Sequence, residues 1–239
     1  DCFDVFAQYD WMVSNKVEIV GALRYDYFSD GSQSNVTPKL NLRYRPTRRL
    51  TLRAGYGMGF RAPTLKEKYY NFDMVGIWIV EGNKDLKAEK SHNFNLSAEY
   101  VRGHYDFTAS VYYNLVHNKL ATAAPYFKSA TDKLPYLPYA NLDNYSVCGG
   151  EVGVQARWDN GLSARLTYAY TKEHLPKDKE GNTINNQYIP AREHALNVRA
   201  DYDHRFSKHY ALSLGINGRA MSGTSNVEYK NYYDVAEGT

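Results

Sequence analysis

Residues 55–100 read GYGMGFRAPTLKEKYYNFDMVGIWIVEGNKDLKAEKSHNFNLSAEY, and this stretch decides how the rest of the chain is interpreted. It begins inside a segment, residues 49–60, in which apolar and polar side chains alternate as they do in a β-strand with two different faces. The alternation stops at Arg61-Ala62-Pro63 and returns in residues 92–101. Because long, aromatic-rich segments between two strands are usually functional, we expect a functional loop here.

Strand-like alternation recurs along the whole chain, and the connections are short and long in strict turn. Tight turns at one end of the strands and long loops at the other are typical of outer-membrane barrels. The sequence therefore predicts an all-β protein, an antiparallel transmembrane β-barrel fragment of about ten strands with short periplasmic turns and long extracellular loops. The predicted strands are residues 3–12, 17–27, 36–45, 49–60, 92–101, 105–115, 144–158, 162–171, 193–202 and 209–219.

The composition agrees with a barrel. The 239 residues include 23 tyrosines, and their mean hydropathy is −0.61. No apolar run approaches the roughly 20 residues of a membrane helix, whereas a barrel strand turns only alternate residues to lipid. Aromatic side chains lie near both ends of the apolar face, as expected of two girdles at the membrane interfaces. The girdle near the short turns comprises Trp11, Tyr44, Tyr100, Tyr105, Trp158, Tyr202 and Tyr210, and the other comprises Tyr25, Tyr27, Tyr56, Phe60, Tyr113, Tyr168 and Tyr170.

The opposite face of the strands is polar and charged. In a barrel these side chains line a wet lumen, where opposite charges pair across neighbouring strands or contact a plug domain. In a soluble sheet they would be ordinary solvated charges. The residues are Arg43, Arg53, Glu99, Asp106, Glu151, Arg157, Arg165, Arg199, Asp201 and Arg219.

Three motifs stand in the opening stretch: Phe60-Arg61-Ala62-Pro63, Gly82-Asn83-Lys84-Asp85-Leu86 and Glu89-Lys90-Ser91. They resemble the FRAP box and the N-P-D-L and P-E-x-S box of TonB-dependent outer-membrane receptors, with Lys84 and Ala88 where that family usually has proline. The resemblance implies a receptor for a scarce nutrient chelate in the outer membrane of a Gram-negative bacterium. An iron–siderophore is the favoured cargo, and haem and cobalamin are the alternatives. The motif residues are Phe60, Arg61, Ala62, Pro63, Asn83, Asp85, Leu86, Glu89 and Ser91.

The loop between the motifs contains the candidate binding residues. Thr64 and Glu67 have the spacing of a capping box, which predicts a short helix just after Pro63. Aromatic side chains with a few polar groups follow, and such a mixture suits a flat or amphipathic ligand. Packing of the loop against its neighbours explains the aromatics equally well. The candidate ligand-binding residues are Tyr69, Tyr70, Asn71, Phe72, Asp73 and Trp78.

Other kinds of site are not favoured. Haem-uptake members of the family are expected to place a histidine between the two motifs, but residues 64–82 contain none, and His92 and His117 lie outside that segment. No catalytic triad, phosphate-binding loop or carboxylate pair argues for an enzyme, so we predict no catalytic residue, metal site or cofactor. The net charge of +3 without a basic cluster argues against a nucleic-acid partner.

The resemblance also implies partners outside this chain. They are the inner-membrane TonB complex, engaged through a plug segment, together with the chelate cargo and outer-membrane lipid. We expect residues 1–239 to be a partial barrel domain, because Asp1 opens within a strand pattern and residues 229–239 read as a loop. The plug and the remaining strands would then lie in the rest of the protein, and the sheet would have two unpaired edges.

Two other interpretations of the fold are open, and the state of the two cysteines is also to be predicted. A closed ten-strand barrel acting as a passive pore and a soluble β-protein that binds ligands both remain alternatives. Cys2 and Cys148 form no metal-binding motif. We expect them to be unpaired, with a disulfide as the alternative in an oxidising compartment.

Overall fold

The structure is a computed structural model. It describes residues 2–28, 34–123, 125–142, 145–175 and 192–223. These contain fourteen strands and one short helix. In chain order they are β1 (Cys2–Ser14), β2 (Val17–Phe28), β3 (Asn35–Tyr44), β4 (Leu50–Arg61), α1 (Leu65–Tyr69), β5 (Asn71–Met74), β6 (Trp78–Glu81), β7 (Glu89–Arg102), β8 (Tyr105–His117), β9 (Lys119–Thr122), β10 (Tyr136–Leu142), β11 (Tyr145–Arg157), β12 (Leu162–His174), β13 (His194–Arg205) and β14 (Ala211–Met221).

Ten of the strands form one antiparallel sheet of order β1-β2-β3-β4-β7-β8-β11-β12-β13-β14. The ten predicted strands correspond to these ten, so the prediction of the fold is confirmed. Each strand pairs with the one before it in the sheet, which places all the short turns at one end and all the long loops at the other. The predicted loops at 29–35 and 173–187 lie partly outside the described residues, and the predicted terminal run at 229–239 lies wholly outside them.

The registers of the sheet join the apolar residues of all ten strands into one face. Tyr56 of β4 lies opposite Leu40 of β3 and Phe94 of β7. On the same face, towards the other edge of the sheet, Leu166 of β12 lies opposite Val198 of β13. A shift of one residue in any pair would turn an apolar set to the polar face, so the apolar pattern excludes such shifts. The result is a continuous surface suited to lipid.

Aromatic residues border this apolar face at the short-turn end, as predicted. Tyr105 begins β8, and Tyr100 lies two residues before the end of β7. Both rings lie near Phe107, at 6.5 Å for Tyr100 and 6.2 Å for Tyr105 between centroids. Trp158 meets the Tyr105 ring edge-on at 6.2 Å. Contacts between neighbouring aromatic rings stabilise the pairing of adjacent strands at this end of the sheet.

Ion pairs form on the polar face, as expected of a lumen wall. Arg43 pairs with Glu18 of the neighbouring strand, and Arg53 of β4 pairs with Glu99 of β7 at 3.0 Å. Arg199 and Asp201, by contrast, pair within β13 at 2.8 Å rather than across strands.

Strands within the long loops were missed by the prediction. Residues 61–91 were expected to have no strand structure, but β5 and β6 form an antiparallel hairpin there. The segment after residue 115 was expected to be loop, yet it contains β9 and β10. A strand of four residues is too short to show a period of two, and Pro138 within β10 reads as a loop signal.

The ten-stranded sheet is open in the described part of the chain. There, β1 and β14 each pair on one side only, so the rival of a closed ten-strand barrel is wrong. Cys2 and Cys148 are both free thiols, as expected. None of the helices formed by the described residues is long and apolar enough to span a membrane.

Candidate functional site

Two long loops at the same end of the sheet fold together and form the candidate site. The first loop, residues 62–88, contains α1, β5 and β6, and the second loop, residues 118–144, contains β9 and β10. Their strands join in a four-stranded sheet of order β5-β6-β10-β9, in which β6 and β10 run parallel. We call this the loop sheet. Because its strands come from two different loops, it fixes one loop relative to the other.

The loop sheet has a packed core of its own. Five of the seven buried apolar side chains in the described part of the chain belong to the two loops, and Leu137 is only 2% exposed. Burial of this extent stabilises the loops as a folded unit, by roughly 1.5–3 kcal/mol for each large side chain. The five are Val80, Leu86, Ala88, Leu120 and Leu137.

Arg61, from the first motif, joins the loop sheet to the end of β4. Its guanidinium pairs with Glu67 of α1 at 2.9 Å and with Glu89 of β7 at 3.6 Å. The same group donates to the Leu120 carbonyl at 3.5 Å, while the Glu89 carboxylate accepts from the Leu120 N–H at 2.9 Å. Arg61 and Glu89 therefore hold the second loop against the first.

Glu67 completes the capping box predicted from the sequence. It accepts from the Thr64 N–H at 2.8 Å, and its own N–H donates to the Thr64 hydroxyl at 3.2 Å. Partial burial acts to raise the pKa of Glu67, but the hydrogen bonds from Thr64 and Arg61 outweigh it and lower the pKa below its ordinary value. The carboxylate is thus held ionised at the start of α1.

The second motif fixes where the first loop returns. The Asn83 side chain donates to the Tyr139 carbonyl at 3.1 Å and accepts from the Asp85 N–H at 2.9 Å. Gly82 lies so close to α1 that a Cβ atom there would sit 2.8 Å from the backbone nitrogens of Tyr69 and Tyr70. Glycine at this position therefore allows the two segments to approach.

The other motif residues also make packing or local contacts. The Phe60 ring lies 6.0 Å from the Phe28 ring, Leu86 of the first loop is buried, and the Ser91 hydroxyl accepts from Asn93 at 3.3 Å. Ala62 and Pro63 are half-buried at the start of the first loop. The motif residues thus stabilise the end of β4 and the loop sheet.

Asn141 was missed by the sequence analysis although it joins the two loops. Its side-chain amide accepts from the Lys87 N–H at 2.8 Å and donates to the Lys87 carbonyl at 2.9 Å. The same nitrogen donates to the Asn118 carbonyl at 2.8 Å. A single asparagine in an irregular segment gives no sequence signal, because its partners are distant in the chain.

Three of the candidate aromatic residues lie together on the first loop. Tyr69 and Tyr70 are 57% and 55% exposed. The Tyr70 ring is 5.3 Å from the ring of Phe72, which is half-buried. Tyr69 and Tyr70 also line a shallow open depression with Leu65 and Lys66. This surface offers ring faces and an ammonium group to a ligand.

The remaining candidates use their polar atoms within the β5–β6 hairpin. Asp73 accepts from the Gly76 N–H at 2.7 Å, and Asn71 accepts from the Gly82 N–H at 3.0 Å. The Trp78 indole N–H donates to the Met74 sulfur at 3.0 Å. These contacts stabilise the hairpin, and the assignment of the three residues to ligand binding stays a prediction.

Lysines near the aromatic rings were not predicted as site residues. The Lys66 ammonium lies 4.9 Å from the centroid of the Phe72 ring, and that of Lys84 lies 5.8 Å from the Tyr69 ring. Both arrangements are within the range of cation–π attraction. Lys84 replaces the proline that is usual at its position in the motif, so the departure adds a positive charge to the aromatic surface.

A second polar cluster links the hairpin to the second loop. Glu81 accepts from the Tyr126 hydroxyl at 2.8 Å and from the Lys128 ammonium at 2.6 Å. The hydrogen bond from Lys128 lowers the pKa of Glu81, and the one to Glu81 raises the pKa of Tyr126. These contacts orient the second loop beside the aromatic surface.

The tip of the hairpin contains a strained residue. Val75 has φ of 53° and is 92% exposed, and Gly76 follows with φ of 71°. A β-branched residue in the left-handed region costs about 1–2 kcal/mol. Glycine tolerates this region and valine does not, so the strain is confined to Val75.

We expect Val75→Asn to stabilise the hairpin by about 0.5–1 kcal/mol, since asparagine tolerates positive φ and Asn-Gly is the preferred pair for such turns. Hydrogen exchange of the Ile77 amide, which donates to the Met74 carbonyl at 3.1 Å, measures the effect. Val75→Thr is the control, because threonine is also β-branched and leaves the backbone strain in place. Equal exchange in Val75→Asn and the unchanged protein would contradict the strain.

The histidines named in the sequence analysis lie away from this surface. His92 and His117 are on the apolar face of the ten-stranded sheet, with ring centroids 5.9 Å apart. Within the described ranges, no three His, Cys, Asp or Glu side chains group as metal ligands.

Comparisons with known proteins agree with this architecture. Residues 3–239 match a family model described as "TonB dependent receptor-like, beta-barrel". An iron-regulated outer membrane virulence protein from Vibrio cholerae is 23% identical over 94% of this chain and 35% of its own length. A hemoglobin-haptoglobin-binding protein A from Haemophilus influenzae is 31% identical over 58% of this chain and 14% of its own length.

A solved structure shares the fold. The siderophore receptor PirA from Pseudomonas aeruginosa superposes with a TM-score of 0.74 at 20% identity, over 94% of this chain and 40% of that one. The chain spans about a third of the length of the first curated relatives that it matches.

Proposed function

Since this chain belongs to the TonB-dependent receptor β-barrel family, we propose that it is part of an outer-membrane receptor that takes up an iron–siderophore. Receptors of this family are transporters rather than enzymes. The chain supplies ten barrel strands and, among its extracellular loops, the two that form the loop sheet. A plug domain, further strands and the segment that engages the TonB complex belong to the rest of the protein.

The loop sheet is the observation that supports this proposal most directly. It joins two extracellular loops into one packed unit, fixed to the barrel by Arg61 and Glu89, and presents Tyr69 and Tyr70 beside two lysines. A pre-formed surface of exposed rings and cations binds a chelate with less loss of conformational entropy than a mobile loop would. Tyr69, Tyr70 and Phe72 are the residues to which we assign cargo binding.

The polar face supports the proposed plug. Ion pairs such as Arg53–Glu99 satisfy part of the charge within the wall, and Glu151 and Arg157 on the same face are exposed, so a domain inside the lumen could contact them. A wide barrel of this family needs such a filling, because an open lumen would pass solutes freely.

Haem is the second candidate cargo. The hemoglobin-haptoglobin-binding relative favours it, with 31% identity over 150 residues. Against it stands the absence of histidine between residues 64 and 82. A direct comparison of ligands separates the two: the purified full-length receptor should bind a ferric siderophore and not haemin.

Replacing Tyr70 with alanine is expected to weaken siderophore binding. The loss of one aromatic contact should cost roughly 0.5–1.5 kcal/mol, or about two- to twelvefold in Kd. Fluorescence quenching of the full-length receptor by ferric enterobactin and by a ferric hydroxamate measures the change. Trp78→Ala should act more weakly, because its indole is engaged with Met74 inside the hairpin.

Tyr210→Ala is the matched control. Tyr210 is also exposed but lies at the short-turn end of the sheet, away from the loops. Its replacement should leave the Kd unchanged. Equal affinities of Tyr70→Ala and the unchanged receptor, for a siderophore that the receptor does bind, would assign Tyr70 to packing of the loop instead.

A further inference from the structure

Positively charged and titratable side chains cluster on the outward face of the sheet at its long-loop end. Registers place them on the same face as the apolar residues: Lys90 is opposite His117, and His194 is opposite Tyr170. Lys172 and His174 follow the same face on β12, opposite Cys148 and Ser146. We call this set the outer cationic belt, and it comprises Lys90, His92, His117, Lys172, His174 and His194.

The length of the strands places the belt at the edge of the membrane. Ten residues separate Tyr100 in the girdle at the short-turn end from Lys90 in the belt, which is about 33 Å along an extended strand. At a tilt of about 40° this is about 25 Å along the membrane normal, the height of the lipid-facing apolar band of an outer-membrane barrel. The belt thus lies where lipid headgroups begin, not in the hydrocarbon.

The charge of the outward face is one-sided. None of the strand residues on this face, across the described parts of the ten strands, is aspartate or glutamate. Glu193, just before β13, pairs with Lys172. In the described ranges no carboxylate lies within ion-pair distance of the Lys90 ammonium, which is exposed.

Neighbouring tyrosines orient the histidine rings. The Tyr56 hydroxyl is 2.9 Å from Nδ1 of His92, and the Tyr168 hydroxyl is 2.7 Å from Nδ1 of His194. In both rings Nε2 is the nitrogen left to face a ligand. Oriented rings lose less freedom on binding than mobile ones.

We propose that the outer cationic belt binds the phosphorylated headgroup of an outer-leaflet glycolipid. Phosphate oxygens accept hydrogen bonds from ammonium and imidazole N–H groups, and the acyl chains would lie on the apolar face directly below, against Phe94 and Tyr113. A soluble partner would leave this continuous apolar face exposed, whereas a lipid covers both parts. The proposal rests on the outer-membrane location given under the proposed function.

The test uses the full-length receptor purified in detergent, with native mass spectrometry to measure binding of lipid A and of lipid A from which the phosphates have been removed. The unchanged receptor should bind the phosphorylated form at least fivefold more tightly. The triple variant Lys90→Gln, His92→Gln, His117→Gln should lose about fivefold or more of that affinity, since one basic side chain near an anionic lipid surface is worth about that factor. Its binding of dephosphorylated lipid A should not change.

The chain offers a matched control, because its other three histidines lie at the short-turn end. The triple variant His104→Gln, His204→Gln, His209→Gln should keep its lipid A affinity within about twofold. Equal binding of the two lipids by the unchanged receptor, or an equal loss in the control variant, overturns the proposal. Displacement of the lipid by millimolar inorganic phosphate alone would also overturn it, since the site would then bind a free anion.

Membrane fractionation keeps this result separate from the proposed function. If the receptor is absent from the outer membrane, the proposed function is wrong, and the proposal that the belt binds a glycolipid is wrong with it. If the receptor is in the outer membrane and binds both lipids equally, only the belt is overturned. Gel mobility before and after heating reports whether each variant has formed a folded barrel.

Discussion

Val111→Arg is expected to destabilise the receptor in a bilayer by about 2–4 kcal/mol, while Ser110→Arg, one residue earlier, is expected to be tolerated. Val111 is at the middle of β8 and faces outward, opposite Leu96 and Gly150. An arginine there must place its guanidinium near the bilayer centre. Urea-dependent folding of the full-length receptor into lipid vesicles measures the difference in free energy of unfolding.

Ser110→Arg is the matched control because it adds the same charge to the same strand. Ser110 lies on the polar face, opposite Ser97 and Glu151. The carboxylate of Glu151, on the neighbouring strand, is therefore within reach of the new guanidinium. Equal destabilisation by the two substitutions would show that the two faces of the sheet are not separated into lipid and lumen. The comparison therefore tests the assignment of faces directly.

The ten long strands could be predicted because each strand is long enough to show its period. β8 has thirteen residues, so alternation from Tyr105 to Leu115 repeats several times and fixes both the strand and its two faces. The same pattern excludes any register that is shifted by one residue, since such a shift would turn apolar side chains to the polar face. Lipid on one side and a polar lumen on the other make this pattern unusually regular.

The loop sheet could not be predicted for the opposite reason. β5, β6 and β9 have four residues each, and β6 pairs with β10 from a different loop, more than fifty residues away. Contacts such as that of Asn141 with Lys87 depend on this long-range pairing and leave no local signal. The capping box at Thr64 was the exception, because both of its partners lie within four residues.

The resemblance to known motifs located the loop but did not assign roles to its residues. Arg61, Asn83 and Glu89 proved to be the residues that connect α1, β7 and the second loop. Ala88, where the family usually has proline, is buried in the loop sheet, and Lys84 lies over an aromatic ring. The motifs thus encode contacts that hold the two loops together, and the two departures from them are one buried alanine and one lysine beside an aromatic ring.

Leu137→Ala is expected to destabilise the loop sheet by about 2–5 kcal/mol without affecting the ten-stranded sheet. Leu137 is 2% exposed and pairs with Val80 across the parallel junction of the two loops. Removing its side chain leaves a cavity at the only parallel pairing among the described strands. Hydrogen exchange of the full-length receptor should show faster exchange in β5, β6, β9 and β10 and unchanged exchange in β7 and β8.

Siderophore affinity should fall in the same variant although Leu137 is too deeply buried to touch a ligand, because Tyr69 and Tyr70 are held in place by the packed loops. Val75→Ala is the control within the same small sheet, since Val75 is almost fully exposed and its truncation creates no cavity. It should leave both exchange in β10 and affinity unchanged. If Leu137→Ala loosens the loop sheet and the affinity nevertheless stays the same, pre-organisation of the loops is not what makes this surface a binding site, and cargo recognition must then be sought on the polar face of the barrel.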